Sequence, residues 1–307
     1  MLRYISRRLI ASLFTLVIIS VVIFLMLRLL PGDPARLFAG DMATGAEVEH
    51  VRVQLGLDKP ITEQYVVFVK DLFKGDLGTS MRTQEPVLED ICARFPATMK
   101  LAFIAILLAC VIGIPAGILA ALKPYSIFDT LASVGTLVGV AMPVYWFGLM
   151  MIVLFAVKLR WLPAAGNTDG IKSVILPAVT LAFFSMALIT RMTRASMLEV
   201  LTQEYVITAR EKGLKESTVI FRHVFRNAMI PVITVVGLQF GGMLGGSILT
   251  ETIFAWPGLG RLLTESLAAR DYPMVQGLVL IFASLVILVN LGVDILYSFI
   301  DPRIRYE

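Results

Sequence analysis

The sequence predicts an all-α membrane protein that crosses the bilayer six times. Of its 307 residues, 57% are hydrophobic and only 16% are charged, a composition too apolar for a soluble domain. Apolar runs of helix-spanning length recur along the chain, and polar stretches separate them. Lys and Arg concentrate in the segments that a six-span topology places on one side of the membrane.

The first apolar run, 9–30, would be about 33 Å long as a helix, enough to cross a bilayer. It is too long for a signal-peptide core and no A-x-A-like site follows it, so we expect a retained first helix, with Arg3, Arg7 and Arg8 holding the N-terminus in the cytoplasm. The other five predicted spans cover 98–122, 128–157, 174–191, 228–254 and 274–300.

The third span is long enough to be tilted or broken, and Pro143 is its predicted kink. The fourth helix is expected to continue beyond 191 into the polar segment that follows it. A short outer loop is expected over 255–272, between the last two spans.

A long polar segment, 31–97, separates the first two spans and is called the insert below. It carries charges of both signs and several turn signals, so we expect it outside the membrane on the side away from the cytoplasm. Helical spacing of apolar residues predicts two short surface helices, over 44–55 and 61–73. The insert is either a structured loop or a docking shelf for an extracytoplasmic partner.

The distribution of basic residues tests this topology. Three, one, seven and two of the 27 Lys and Arg residues lie in 1–8, 123–126, 191–227 and 301–307 respectively. The positive-inside rule therefore places both termini in the cytoplasm. The net charge of +4 is explained by these loops rather than by nucleic-acid binding.

A basic segment, 192–227, joins the fourth and fifth spans and is called the elbow. Gly213 is predicted to take the left-handed conformation that ends a first short helix, and Pro231 to begin a new one. In the second short helix, Val219, Ile220, Val224 and Phe225 form an apolar side, and Arg222, His223 and Arg226 form a basic side.

Two interpretations of the elbow are open. A basic amphipathic helix could lie on the inner leaflet. The turn at Gly213 and the acidic residues Glu204 and Glu211 favour instead a two-helix knob that protrudes into the cytoplasm and contacts a soluble partner.

Small and polar residues inside the spans indicate close packing or a pathway. Small-xxx-small spacing occurs at Gly113/Gly117, Gly135/Gly139 and Gly237/Gly241/Gly245, and predicts helix packing or, in the fifth span, the border of a pore near Gln239 and Ser247. Asp294 lies one turn after Asn290, and an interhelical hydrogen bond or cap is expected there rather than an ion site. Glu251, near the outer end of the fifth span, is expected to face a gate or to reach interfacial water.

No motif supports catalysis or cofactor binding by this chain. The sequence contains neither the Walker A pattern nor H-E-x-x-H, and its two histidines, His50 and His223, are predicted on opposite sides of the membrane. Cys92 and Cys110 form no metal pattern and are interpreted as packing residues. We therefore expect no catalytic, cofactor-binding or metal-binding residue.

The elbow resembles the cytoplasmic signature of permease subunits of binding-protein-dependent ABC importers, in the dipeptide, oligopeptide, nickel and glutathione branch. That signature reads E-A-A, three residues, G, nine residues, then I-x-L-P, and here it is matched by Tyr205, Thr208, Ala209, Gly213 and HVFRNAMIP, in which Asn227 and Pro231 agree with the branch. TAR stands where E-A-A is expected. Further matches along the whole chain are LPGDPAR, QLGLDKP, GDLGTS, TRASMLEVL, ETIFAWPGLGRLL and DPRIRY.

The resemblance implies a type I ABC importer permease fold in a bacterial inner membrane, as the B-type half of a permease pair. The implied partners are a second, homologous permease, two cytoplasmic ATPases that bind ATP and Mg²⁺, and an extracytoplasmic solute-binding protein. The implied mechanism is alternating access, with force entering at the elbow, and the implied coupling residues are Glu204, Tyr205, Ala209, Gly213, Arg222, His223 and Arg226.

The resemblance does not name the solute. Di- and tripeptides rank first, glutathione second and nickel chelates last, because the chain shows no cluster of metal ligands. An ion-gradient-driven secondary transporter with a relay around Asp294 is the main alternative, and a membrane-embedded enzyme is a third.

Overall fold

A computed structural model describes residues 2–29, 33–40, 42–54 and 56–300. The stretches 30–32 and 301–307, which carry the start of LPGDPAR and the DPRIRYE tail, lie outside the described residues. The helices are α1 (Leu2–Leu29), α2 (Pro34–Ala39), α3 (Gly45–Gln54), α4 (Ile61–Phe73), α5 (Val87–Leu122), α6 (Ile127–Ala141), α7 (Val144–Met151), α8 (Ile171–Leu201), α9 (Glu204–Glu211), α10 (Glu216–Thr218), α11 (Arg226–Ile253), α12 (Leu259–Ala268) and α13 (Tyr272–Ile300). Two π-helical segments, Ile152–Lys158 and Val219–Phe225, follow α7 and α10.

Within the described residues, five helical segments are long and apolar enough to cross a membrane. They are Ser6–Leu29, Val87–Leu122, Ile171–Leu201, Glu216–Ile253 and Tyr272–Ile295. A sixth crossing arises if the bent pair Ile127–Ala141 and Val144–Lys158 counts as one span. The all-α prediction is confirmed, whereas the membrane boundaries of the six spans stay predictions.

The third predicted span is broken at Pro143. The two halves meet at an angle of 106°. Met142 and Pro143 are extended, since proline disfavours helical geometry in the residue before it, and the second half begins afresh at Val144. The predicted kink is therefore confirmed, although the bend is sharper than a tilted single helix would need.

Two helices begin earlier than the apolar pattern alone indicates. α5 starts at Val87 and runs through Pro96, so it reaches well into the predicted insert, and α8 starts at Ile171 and continues to Leu201 as expected. In the insert, α4 has the predicted bounds, and α3 lies within the predicted 44–55. α12 was not predicted, and it lies within the stretch 255–272 that was expected to be a loop.

Buried side chains form three clusters along the helix bundle. One, which includes Ile23, Leu262 and Leu278, joins α1, α12 and α13 near the insert, at what is called the insert end. A central cluster, which includes Leu101, Ile189 and Val232, joins α5, α8 and α11. A third, which includes Met197 and Val206, lies at the elbow end. α5, α8 and α11 contribute to the central cluster and to the cluster at the elbow end, and α5 also reaches the cluster at the insert end.

The small-residue motifs divide into packed and open positions. A Cβ on Gly117 would stand 2.6 Å from the Thr190 carbonyl oxygen of α8, and one on Gly139 would stand 2.7 Å from the Ala187 Cβ. A Cβ on Gly237 would collide with Val293 of α13. Gly135 and Gly245, in contrast, have no atom within 4 Å of such a Cβ. The packing interpretation therefore holds for both glycines of the Gly113/Gly117 motif, whereas each of the other two motifs has one open position.

Candidate functional site

The elbow consists of two short helical segments that meet at Gly213. α9 ends at Glu211, and Gly213 follows with φ +73°. No atom lies within 4 Å of where its Cβ would be, so the positive φ, and not crowding, is the reason for glycine at this position. The predicted left-handed turn is thus confirmed.

The second segment of the elbow does not stop before Pro231, which corrects the prediction of a fresh start there. α10, the π-helical turn Val219–Phe225 and α11 form one continuous helical run from Glu216 to Ile253, with Pro231 inside it. Proline removes one helical hydrogen bond, to the carbonyl four residues earlier. That carbonyl belongs to Asn227, an exposed residue in the first third of the run. The elbow is consequently built as an extension of α11.

Apolar packing fixes the elbow to the helix bundle. Val206 and Ala209 of α9 and Val219 and Val224 of the π-helical turn are buried. They pack with Ala121 at the end of α5, Met197 in the last turns of α8 and Ala228 at the start of α11. The elbow therefore rests on three long helices, which would have to move with it as one packed unit.

Polar contacts also hold the turn of the elbow. Arg210 of α9 donates two hydrogen bonds to Glu216 across Gly213, with Nη2 to Oε1 at 2.7 Å and Nε to Oε2 at 3.2 Å. This carboxylate raises the pKa of the Arg210 guanidinium. Asn227 Nδ2 donates to the Tyr205 hydroxyl at 2.9 Å. Both contacts join the two segments of the elbow, and the sequence motif gave no sign of either pairing.

The predicted coupling residues occupy two different environments. Glu204, Tyr205, Arg222 and Arg226 are exposed and His223 is half-buried, so they can contact a partner. Ala209 is buried inside the elbow, in the same apolar cluster as Val219 and Val224.

Apolar side chains on the free surface of the elbow were missed by the sequence argument. Phe221 is 65% exposed and lies among the basic residues of the second segment. Ile207 and Leu214 are also exposed. Protein–protein interfaces are rich in aromatic side chains and arginine. The mixed basic and apolar surface of the elbow is therefore suited to a protein partner.

The predicted pathway residues do not form one surface. Gly241 and Ser247 are buried, and the Gln239 amide oxygen accepts a hydrogen bond from Ser185 Oγ of α8 at 2.9 Å. Gly245 is exposed on another side of α11. Asp294 binds Arg8 of α1 through an Oδ1 to Nη2 contact of 3.0 Å, as the interhelical prediction required. These residues mostly hold helices together in this conformation.

Glu251 neither faces an open gate nor reaches interfacial water, which corrects both alternatives. Its side chain is completely buried and accepts hydrogen bonds from Thr98 Oγ1 at 2.7 Å, Gly260 N at 2.7 Å and Arg261 N at 3.2 Å. Thr98 Oγ1 in turn accepts from Leu259 N at 2.8 Å. Since these three amides open α12, the carboxylate satisfies its N-terminal donors and joins it to α5 and α11.

Close backbone approach explains the glycines beside this carboxylate. A Cβ on Gly260 would collide with the Ile248 backbone of α11, and one on Gly258 would collide with the Glu251 carboxylate group. Trp256, completely buried, donates its indole N–H to the Ala97 carbonyl at 2.9 Å. The motif AWPGLG is therefore a packed joint rather than a loop.

Within the described part of the chain, no group of three or more His, Cys, Asp or Glu residues is placed to hold a metal ion. Cys92 is exposed and Cys110 half-buried, and both are free thiols.

Comparison with known protein families gives two matches. Residues 113–306 match the family described as "Binding-protein-dependent transport system inner membrane component". Residues 1–102 match "Binding-prot-dependent transport system membrane comp, N-term". Together they cover nearly the whole chain.

Curated relatives match over their full length. The chain is 45% identical over 307 residues to the glutathione transport system permease protein GsiC of Escherichia coli, with 100% of both chains covered. It is 43% identical to the dipeptide transport system permease protein DppB of Alkalihalophilus pseudofirmus over 333 residues, again with 100% of both covered.

The fold is also found among solved structures. A chain of the MetNI methionine ABC transporter, in an inward-facing conformation, matches with a TM-score of 0.59 and 18% identity over 71% of this chain and 99% of that chain. At this identity the likeness concerns the fold alone.

Proposed function

Because the chain belongs to the family of inner membrane components of binding-protein-dependent transport systems, as an ABC importer permease of the dipeptide and glutathione type, we propose that it carries short peptides across the membrane by alternating access. The chain is a multi-pass inner membrane protein. In this proposal it supplies the pathway, and separate subunits supply the energy.

The packing of the elbow is the single observation that carries the proposed mechanism. Val206, Ala209 and Val219 are buried against the ends of α5, α8 and α11. A force applied to the elbow would be passed to these helices as a displacement of packed bodies, since close-packed interiors do not deform continuously. This geometry suits a subunit whose helices are moved by a partner protein that pushes on the elbow.

The proposed orientation places the elbow in the cytoplasm and the insert outside. The concentration of Lys and Arg in 191–227 supports it. Two cytoplasmic ATPases would then bind ATP and Mg²⁺ and act on the elbows of this chain and of a second, homologous permease. The exposed residues Phe221, Arg222 and Arg226 are suited to contact the ATPase.

A solute-binding protein is proposed to deliver the cargo at the insert end. Di- and tripeptides rank before glutathione in the proposed cargo, and the relatives with both names support this range. A nickel chelate ranks last, as no metal-binding group occurs in the described residues.

Uptake by proteoliposomes tests the proposal. The chain is reconstituted with its proposed partners, the second permease, the ATPases and the binding protein. Radiolabelled dipeptide and glutathione are then offered with ATP or with a proton gradient alone. The proposal predicts uptake with ATP and none with the gradient. Gradient-driven uptake that needs no ATP would instead support a secondary transporter.

A further inference from the structure

An open pocket of about 700 Å³ lies in the loop 159–170, called the pocket loop, which joins the π-helical segment Ile152–Lys158 to α8. α8 begins beside the pocket at Ile171, and its last turns pack on the elbow after 31 residues, about 45 Å of helix. The pocket is therefore at the end of the bundle opposite the elbow. Its volume falls within the range of about 300–1,000 Å³ that is usual for small-molecule sites.

Three charged side chains line the pocket, two of them basic and one acidic. They are Arg160, Lys172 and Asp169, and all three are exposed. Among the residues that the structure describes, none forms an ion pair or a side-chain hydrogen bond with them, so the Asp169 carboxylate lies more than 4.0 Å from both basic groups. Opposite charges that share a pocket without pairing are available to a ligand whose own charges are separated.

Apolar groups form the rest of the pocket lining. Trp161 is 66% exposed and Ile171 is 84% exposed. Ala156, Leu162 and Pro163 also line the pocket. Small-molecule sites typically combine apolar and aromatic walls with a few polar groups that fix the orientation of the ligand.

Hydrogen bonds and ring contacts hold the pocket loop against the helices. Trp161 N donates to the Phe155 carbonyl at 2.9 Å, and the centres of the two rings are 6.0 Å apart. Gly166 N donates to the carbonyl of Phe254, the residue after the end of α11, at 2.8 Å. The pocket loop is thus connected to α11, the helix that extends into the elbow.

Resting on the proposed function, that this chain carries short peptides, we propose that this pocket binds peptides with two carboxylates and one ammonium group. Arg160 and Lys172 each bind one carboxylate, and Asp169 binds the ammonium group. Glutathione carries this set of charges, and so does a dipeptide with one acidic side chain. Dialanine has a single carboxylate and leaves one of the two basic groups unused.

The acidic residue favours a peptide over a simple anion. Inorganic phosphate or an anionic lipid headgroup would be attracted by Arg160 and Lys172 but repelled by Asp169. A peptide is attracted by all three side chains, because its ammonium group can lie beside the carboxylate.

Equilibrium binding of radiolabelled glutathione and dialanine to the assembled transporter tests the proposal. The complex is placed in phosphatidylglycerol nanodiscs without ATP or the binding protein, so that neither the binding protein nor a lipid ammonium group competes. The key variant is Arg160→Glu, and Arg160→Gln is a milder second variant. Lys158→Glu is the matched control, because Lys158 is an exposed basic residue near Arg160 that does not line the pocket.

The wild type is expected to bind glutathione about threefold more tightly than dialanine, the effect of one exposed charge pair. Arg160→Gln should remove this preference. Arg160→Glu should weaken glutathione binding about tenfold, since an attraction becomes a repulsion of similar size, and Lys158→Glu should bind like the wild type. Equal glutathione binding by wild type and Arg160→Glu would overturn the proposal, and so would an equal loss in Lys158→Glu.

Failure of this proposal and failure of the proposed function give different results. A transporter that takes up peptides with ATP but shows no charge preference in this binding assay retains the proposed function and overturns the pocket assignment. Binding with the expected preference, but no ATP-driven uptake, would support the pocket and contradict the proposed function. Variants that bind glutathione normally but fail to dock the binding protein would make the pocket a protein contact and overturn the proposal.

Discussion

Glu251 is a buried carboxylate whose oxygens are all used inside the protein. Thr98, Gly260 and Arg261 donate to it, and Thr98 in turn binds the Leu259 amide. The carboxyl group is tolerated in this position because several donors replace the water that it has lost. Its structural role is to fix α12 onto α5 and α11.

Replacing Glu251 with alanine should therefore destabilise the protein. Glu251→Ala leaves buried donors on Thr98, Gly260 and Arg261 without acceptors, with an expected loss of about 2–4 kcal/mol of unfolding free energy. Thermal unfolding of the full-length protein in detergent measures it. The control is Glu265→Ala, which removes partly exposed ion pairs with Arg261 and Arg82 and should cost about 1 kcal/mol. Equal unfolding temperatures for the two variants would contradict the role given to Glu251.

The second prediction at the residue scale concerns Gly213. Glycine is needed at this position for its backbone conformation and not for lack of space. Valine at φ +73° is strained by about 1–2 kcal/mol, whereas asparagine tolerates this region. Gly213→Val should lower ATP-driven uptake about tenfold without affecting membrane insertion, and Gly213→Asn should retain most uptake. Full uptake by Gly213→Val would show that the turn is not needed for coupling.

Sequence patterns predicted the conformation of a residue well where it depends on neighbours in the chain. They predicted the environment of a residue poorly where its partners are distant in the chain. The left-handed turn at Gly213 follows from its immediate neighbours. One partner of Glu251, Thr98, lies in another helix, and no local pattern connects the two residues. The environment of Glu251 was therefore mispredicted even though its place near the end of α11 was correct.

At the scale of elements, long apolar runs predicted helices well and short amphipathic pieces less evenly. α4 has the bounds that its apolar spacing indicates, Ile61–Phe73. α12 was missed although Leu259, Leu262 and Leu263 are buried at helical spacing. Gly258 and Gly260, at the start of α12, allow close approach to Glu251 and Ile248, and this requirement depends on tertiary packing.

The two small-residue motifs of α5 and α6 provide a prediction about helix packing. A side chain at Gly117 would enter the backbone of α8 at Thr190, whereas one at Gly135 would enter open space. Gly117→Leu should therefore lower the unfolding free energy by about 1–3 kcal/mol, the usual cost of overpacking, and Gly135→Leu should have little effect. Thermal unfolding of the two variants decides this, and similar losses for both would contradict the packing.

At the scale of the whole molecule, three buried clusters connect the elbow to the insert end. α5, α8 and α11 contribute to the clusters at the centre and at the elbow end, and α5 also reaches the cluster near the insert. A displacement of the elbow is thus expected to displace the helices at the opposite end of the bundle. The five long apolar helices were predictable from the sequence, since the length of each apolar run determines them, and the bent pair around Pro143 adds a sixth if it counts as one span. Which faces of these helices contact one another could not be predicted, because small-residue spacing alone does not identify the helix that packs against each face.

The central claim, that the elbow is where an ATPase acts on this chain, is tested most directly by site-specific photocrosslinking in membranes. A photoreactive amino acid is placed at Phe221 of the elbow or, as a control, at Phe73 in the insert, since both side chains are exposed. The ATPase subunit is expected to crosslink from position 221 and not from position 73. Absence of the ATPase from the products at 221, with the assembled transporter still active, would contradict the claim.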